Sequence, residues 1–100
     1  MTIEQAALQQ VLAAGIPPHL SGFRYLQTAI IICYKDVDKL SMVTKILYPE
    51  VSKAHKLSDW RCVERSIRAA IRRGVGLKVS NSVFISAAVW NIKQLKNPPE

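Results

Sequence analysis

The sequence predicts an all-α fold, a compact bundle of about six helices that contains a helix-turn-helix. Three observations predict it. Apolar residues recur at helical spacing in successive segments. Helix-breaking residues (Gly15, Pro17-Pro18, Pro49 and Gly74) fall between those segments. Arginines stand at positions 61, 65, 68 and 72, a spacing that puts them within about 60° of one another on a helix. The chain has 100 residues, enough for one domain with one core, spanning residues 1–100. Apolar residues make up 49% of it, so it folds rather than stays disordered.

Residues 3–14 read as an amphipathic helix through Ile3, Ala7, Leu8, Val11 and Leu12, with Gly15 as its C-terminal cap. Ser21 or Gly22 starts a second helix that runs to about Tyr34. Its centre, Leu26 to Cys33, is apolar nearly all round, which places it in the middle of the fold. The β-branched residues of Ala29-Ile30-Ile31-Ile32 also suit a strand, but the surrounding helical pattern is long and favours a helix. Asp36 or Asp38 caps a third helix through Leu40, Val43, Ile46 and Leu47. Tyr48-Pro49 breaks that helix and starts a short one over 49–55, with Val51 and Ala54 inward. After the turn Lys56-Leu57-Ser58, Ser58 is the expected N-cap of the arginine helix and Asp59 suits its dipole. That helix, 59–73, carries Trp60, Val63, Ile67, Ala70 and Ile71 opposite the arginines and stops at Gly74. Residues 74–80 form a loop. Asn81 or Ser82 caps a last helix with Phe84, Ala87, Ala88, Ile92 and Leu95 on one side, and residues 97–100 fray.

Charge is segregated. The net charge is +7, yet residues 1–52 balance to zero. Residues 53–78 hold Lys53, Lys56, Arg61, Arg65, Arg68, Arg72, Arg73 and Lys78 against Asp59 and Glu64, which is +6. A general solubility charge would be spread along the chain; a docking surface for a polyanion is concentrated like this.

Several classes are excluded. The N-terminus carries Glu4 and no basic start, so it is not a signal peptide, and the apolar run 29–33 is too short to span a bilayer. Two cysteines without an export signal fit free thiols in a reducing cytoplasm. His19 and His55 have no metal-like spacing to Cys33 or Cys62, and Asp36 and Asp38 read as caps rather than a catalytic pair. No phosphate loop or nucleophile constellation is present, so neither an enzyme, nor a metal, nor a cofactor, nor a small-molecule substrate is expected. Single-stranded RNA is disfavoured because no exposed aromatic platform is apparent. Cys33 reads as core. Cys62 lies near a helix N-terminus beside arginines, conditions that lower a thiol pKa, but a plain groove-edge side chain is the simpler reading. Trp90 falls off the apolar face of the last helix, where it either packs on the first helix or joins a dimer contact.

A short helix, a tight turn and a longer basic helix, about 49–73, read as a helix-turn-helix with helix 59–73 in the major groove of double-stranded DNA. Arginine forks bond guanine O6 and N7 together. Arg61, Arg65 and Arg68 lie in the first turns, within reach of bases. Glu64 accepts from cytosine N4 or orients Arg68. Arg72 and Arg73, further along, suit phosphates, as do Lys53, Lys56 and Ser58 around the turn.

Four stretches carry a family resemblance. They are Gly15-Ile-Pro-Pro-His-Leu-Ser-Gly-Phe-Arg-Tyr-Leu26, Thr44-Lys-Ile-Leu-Tyr-Pro-Glu-Val-Ser-Lys53, Val63-Glu-Arg-Ser-Ile-Arg-Ala-Ala-Ile71 and Asn81-Ser-Val-Phe-Ile85. Over about residues 8–96 the chain resembles the C-terminal effector domain of the stage zero sporulation protein A family. The resemblance implies a six-helix domain that binds short DNA boxes, often as a homodimer on tandem sites, and regulates transcription at the onset of sporulation, with RNA polymerase as a further partner. It places the family's recognition contacts on Arg61 or Cys62, Glu64, Arg65 and Arg68. The chain departs from the family in having Cys62 where an arginine stands, Ala69 where a histidine is frequent, and a shorter connection over 74–80. One hundred residues leave no room for the family's phospho-acceptor receiver domain, and the Met1 start fits a stand-alone chain rather than a fragment. Cys62 and Ala69 motivate a rival expectation: an interaction module that no longer reads DNA and pairs with a full-length family regulator.

Overall fold

Five α-helices form, and no strand. The structure is a computed structural model that describes residues 1–100. Helix α1 spans Ile3–Ala13, α2 Ser21–Lys35, α3 Tyr48–Ala54, α4 Trp60–Val75 and α5 Asn81–Lys93. Helix α1 opens with a capping box: Gln5 N–H donates to Thr2 Oγ1 at 3.1 Å, and Thr2 N–H to Gln5 Oε1 at 2.9 Å. It closes at Gly15, whose φ of +79° is the left-handed region that ends helices. Helix α2 is central and packs against α1, α4 and α5. Its Leu26, Ala29, Ile30 and Cys33 are fully enclosed, which settles the helix-or-strand ambiguity of residues 29–32. Burial pushes the Cys33 thiol up to about 12, as an apolar enclosure disfavours the thiolate.

The expected third helix does not form, so the count is five rather than six. Asp36 caps as expected, its carboxylate accepting from Asp38 N–H at 3.2 Å, but residues Val37–Ser41 then wind as a 3₁₀ segment. Ser41 donates its hydroxyl back to the Asp38 carbonyl at 2.8 Å, a local bond that competes with helix propagation. Met42 leaves helical geometry, with φ −131° and ψ 47°. A π turn over Val43–Leu47 leads without interruption into α3. The break therefore sits at Met42 and not at Tyr48-Pro49. A proline inside an α-helix lacks a donor and clashes with the carbonyl four residues back. Tyr48 N–H reaches instead to the Val43 carbonyl, and this wider turn just ahead of Pro49 relieves that conflict. Of the two residues expected inward on α3, Val51 is enclosed and Ala54 is exposed.

Helix α5 is rotated from its expected face. Asn81, Ile85, Ala88, Val89 and Ile92 are buried, whereas Ala87 and Leu95 are exposed. Trp90 keeps 48% of its surface in solvent. The link from α5 to α1 runs through the next residue, Asn91, whose Nδ2 donates to Gln10 Oε1 at 3.1 Å. The C-terminal residues fold back rather than fray. Pro99 is buried, Tyr34 donates its hydroxyl to the Pro99 carbonyl, and Lys93 Nζ sits 4.6 Å over the Tyr34 ring.

Candidate nucleic-acid interface

Helix α4 owes its position to one face of the sequence. Val63, Ile67, Ala70 and Ile71 are buried, while Arg61, Arg65, Arg68 and Arg72 are exposed. Its ends differ from expectation by one or two residues. Asp59, not Ser58, is the N-cap: its side chain accepts from Arg61 N–H at 2.9 Å, and Ser58 is left exposed. The helix runs through Gly74 to Val75 and ends at Gly76, with φ +74°. Gly74 serves packing: a Cβ there would lie 2.8 Å from the Ala14 carbonyl oxygen and 2.5 Å from Ile16 Cγ1.

The turn before α4 is tight without a glycine because Lys56 itself takes the left-handed conformation, φ +56°. Buried Ser52 brackets it. The Ser52 carbonyl accepts from Leu57 N–H at 2.9 Å, and its hydroxyl donates to the Leu57 carbonyl at 3.1 Å. The far side is held by Asn81, whose Nδ2 donates to Tyr48 Oη at 3.0 Å and to the Glu64 carbonyl at 3.1 Å. Asn81 is thus a positioning residue that ties α3, α4 and α5 together. The Tyr48 and Trp60 rings stack with centroids 6.1 Å apart.

His55, at the C-cap of α3, anchors the other side. Its Nε2 lies 2.7 Å from Thr28 Oγ1, and its ring meets Tyr25 edge-on at 4.9 Å. Burial lowers its pKa, and the Arg24 guanidinium lowers it further. The unfolded chain, with a histidine pKa of about 6.5, binds the proton first. Stability is then flat above about pH 6.5 and falls as pH drops below it, because protonation favours unfolding. Urea unfolding at pH 7.5 and pH 5.5 checks this: the wild type loses stability at pH 5.5, and His55→Gln loses less.

The arginine row is not uniform. Arg61 folds back on the cap: its Nε lies 3.2 Å from both Asp59 carboxylate oxygens and its Nη2 3.1 Å from Oδ2. These hydrogen bonds hold the Asp59 carboxyl below the usual carboxylate range. Arg68 pairs with Glu64 at 2.7 Å, one helical turn away. Arg65 and Arg72 make no ion pair. Asp59, Arg61, Glu64, Arg65 and Arg68 line a shallow cleft of about 400 Å³ with no apolar residue. Four of the five expected base contacts therefore come together. Cys62 does not join them; it is half-buried and does not line the cleft. Lys53, Lys56 and Arg73 are exposed, and Arg73 projects off the stripe while Arg72 stays on it.

A second opening has no counterpart in the sequence pattern. A groove of about 570 Å³ lies between α4, the π turn and the start of α5, lined in part by Thr44, Arg68, Arg72, Lys78, Ser80 and Ser82. Lys78 stands in the charged quarter of the sequence without a role apparent from spacing. Its distance along the chain from Thr44 hides the juxtaposition.

No group of three or more His, Cys, Asp or Glu side chains comes together, and no helix is long and apolar enough to cross a membrane. Residues 7–88 match the model of the family described as Sporulation initiation factor Spo0A C terminal. That match covers most of the chain and includes α2, α3, all of α4 and the first half of α5. The chain therefore belongs to the family of sporulation initiation factor C-terminal domains, a DNA-binding, transcription-regulating family and not an enzyme family.

Proposed function

We propose that the chain binds double-stranded DNA sequence-specifically and thereby regulates transcription in the cytoplasm. In this reading α3, the turn over 55–59 and α4 act as a helix-turn-helix, with α4 in the major groove. One observation supports it above the others: an arginine stripe stands in an all-polar cleft on a helix whose opposite face is locked into the core. Arg61, Arg65 and Arg68 read base edges, Glu64 orients Arg68, and Cys62 borders the groove. Lys53, Lys56, Ser58, Arg72 and Arg73 hold phosphates.

Selection of preferred duplexes from a random library, followed by anisotropy titration against the winner and a scrambled duplex, tests the proposal. Equal affinity for both at physiological salt would sink it. Arg72→Ala and Lys56→Ala each weaken binding to the two duplexes alike, and each lowers the salt slope by about 1. A loss confined to the selected duplex would reassign those residues to base reading.

The exposed side of α5 favours a second reading. Val83 and Trp90 leave apolar surface uncovered there, and Leu95, just past the end of α5, is exposed as well. A second copy on tandem sites, a full-length family regulator or RNA polymerase would cover it. Co-sedimentation with a full-length regulator in the absence of any duplex affinity would make this chain an interaction module. A duplex footprint by the isolated chain would refute that reading as a replacement for DNA binding.

A further inference from the structure

Phosphate contacts from Lys53 and Lys56 account for only one side of α4. His55 packs on Thr28 and Tyr25 of α2, so the C-terminal end of α3 lies against α2, with the exposed Lys53 and Lys56 on either side of His55 in the chain. The opposite, α5 side carries the groove of about 570 Å³. Eight of its eleven lining residues are polar or charged. Three are cations, Arg68, Arg72 and Lys78, and the one acid, Glu64, is already paired with Arg68. The groove does not end there. A second hollow of about 590 Å³ shares Val43, Thr44 and Ser82 with it and extends across the π turn to Lys45. Arg72, Lys78, Thr44, Ser82 and Lys45 thus line one continuous, open track. Lys45, Thr44, Lys78 and Ser82 are all exposed, and the Thr44 hydroxyl has no partner within the chain.

We propose that this track is a second DNA-backbone site, which holds the sugar-phosphate strand on the α5 side of α4 through Lys78, Arg72, Thr44, Ser82 and Lys45. The chemistry selects the occupant. A compact anion needs convergent donors in an enclosed site; here cations and hydroxyls are strung along an open channel, as a polyanion requires. The geometry of the duplex selects it too. A helix in the major groove runs between two sugar-phosphate strands, so a protein that holds the strand on the α2 side meets the other on the α5 side. The π turn gains a role: it carries Thr44 and Lys45 out to the track.

The proposal rests on the DNA reading above, and its test separates the two. Affinity for the selected and scrambled duplexes is measured across a salt series for the wild type, Lys78→Ala, Lys45→Ala and, as a control off the track, Lys35→Ala. Ethylation interference on the selected duplex maps the phosphates. Lys78→Ala and Lys45→Ala are expected to lower the salt slope by about 1 each on both duplexes, and to erase interference on one strand only. The control leaves both unchanged. Circular dichroism confirms folding of each variant. If the wild type fails to discriminate the duplexes but Lys78→Ala still lowers the slope, sequence reading falls and the backbone track stands. If both track variants keep the wild-type slope, the track is overturned, whether or not the duplexes are discriminated.

Discussion

Gly22→Ala is expected to lower the melting temperature by about 8–16 °C, the largest stability effect of a single methyl group in this chain. Gly22 sits in the first turn of α2, where α2 crosses α4. A Cβ on it would lie 2.1 Å from the Ser66 carbonyl oxygen, 2.8 Å from the Ser66 carbonyl carbon and 2.7 Å from Ala70 Cβ. None of these is the end of a flexible side chain, so the methyl cannot be accommodated by a rotamer change. The two helices must separate. Overpacking of this kind costs about 1–3 kcal/mol, and a backbone obstacle belongs at the upper end. The intrinsic preference of a helix for Ala over Gly, about 1 kcal/mol, offsets only part of it. Each net kcal/mol moves the midpoint of a domain of this size by about 4–8 °C. Gly76 is different in kind: nothing lies within 4 Å of a Cβ there, and only its positive φ is at stake. Thermal unfolding followed by circular dichroism checks the prediction. A midpoint within about 2 °C of wild type would mean that the α2–α4 crossing is looser than its geometry implies. The crossing matters for function because Ser66 and Ala70 fix the face of α4 turned to the core, and so aim the arginine stripe outward.

The parts of the fold legible in the sequence are those where one strong local signal acts alone. Helix α4 has strict segregation of apolar and cationic residues, and its expected span of 59–73 differs from the observed Trp60–Val75 only at the ends. Those ends shifted because Ser58 and Asp59 are both good caps, and Asp59 wins by also holding Arg61. Gly74 looks like a stop, yet it is the residue that lets α4 approach the backbone at Ala14 and Ile16; the stop is Gly76. Helix α5 is apolar almost all round, so periodicity could not fix its phase, and only packing decides that Ile85 and Val89 go in while Ala87 and Trp90 stay out. Residues 37–47 failed for a different reason. Their apolar spacing is helical, but Ser41, Met42 and the coming Pro49 each act on the backbone, which periodicity does not register. The cleft beneath the arginines was legible because four of its residues share one helix face. The groove beside it was not, because it joins residues 44, 72, 78 and 82 through tertiary structure.

Within the stripe, Arg65→Ala is expected to weaken binding to a selected duplex by about 1–3 kcal/mol, roughly 5- to 150-fold, while leaving the scrambled duplex much less affected. The arrangement of neighbours singles out this arginine. Arg61 is committed to Asp59 and Arg68 to Glu64, so each must share or surrender an existing charge-assisted bond before it meets a base. Both pairs are exposed, where such bonds contribute little to stability, so they orient the forks more than they hold the fold together. Arg65 stands between them on the same cleft with no acid bound. Its fork is free to engage guanine O6 and N7 in a bidentate bond, and truncation removes that bond with nothing nearby to replace it. Arg61→Ala, by contrast, also leaves Asp59 as an unneutralised acid at the edge of the polyanion site, a repulsion felt by both duplexes, so its loss is less specific. Anisotropy titration of both variants on the selected and scrambled duplexes at one fixed salt concentration distinguishes the cases. A proportional loss on the two duplexes by Arg65→Ala would make Arg65 a phosphate contact. Base reading would then fall to Arg68 and its Glu64 partner, and Glu64→Gln would be the variant that changes which base is preferred.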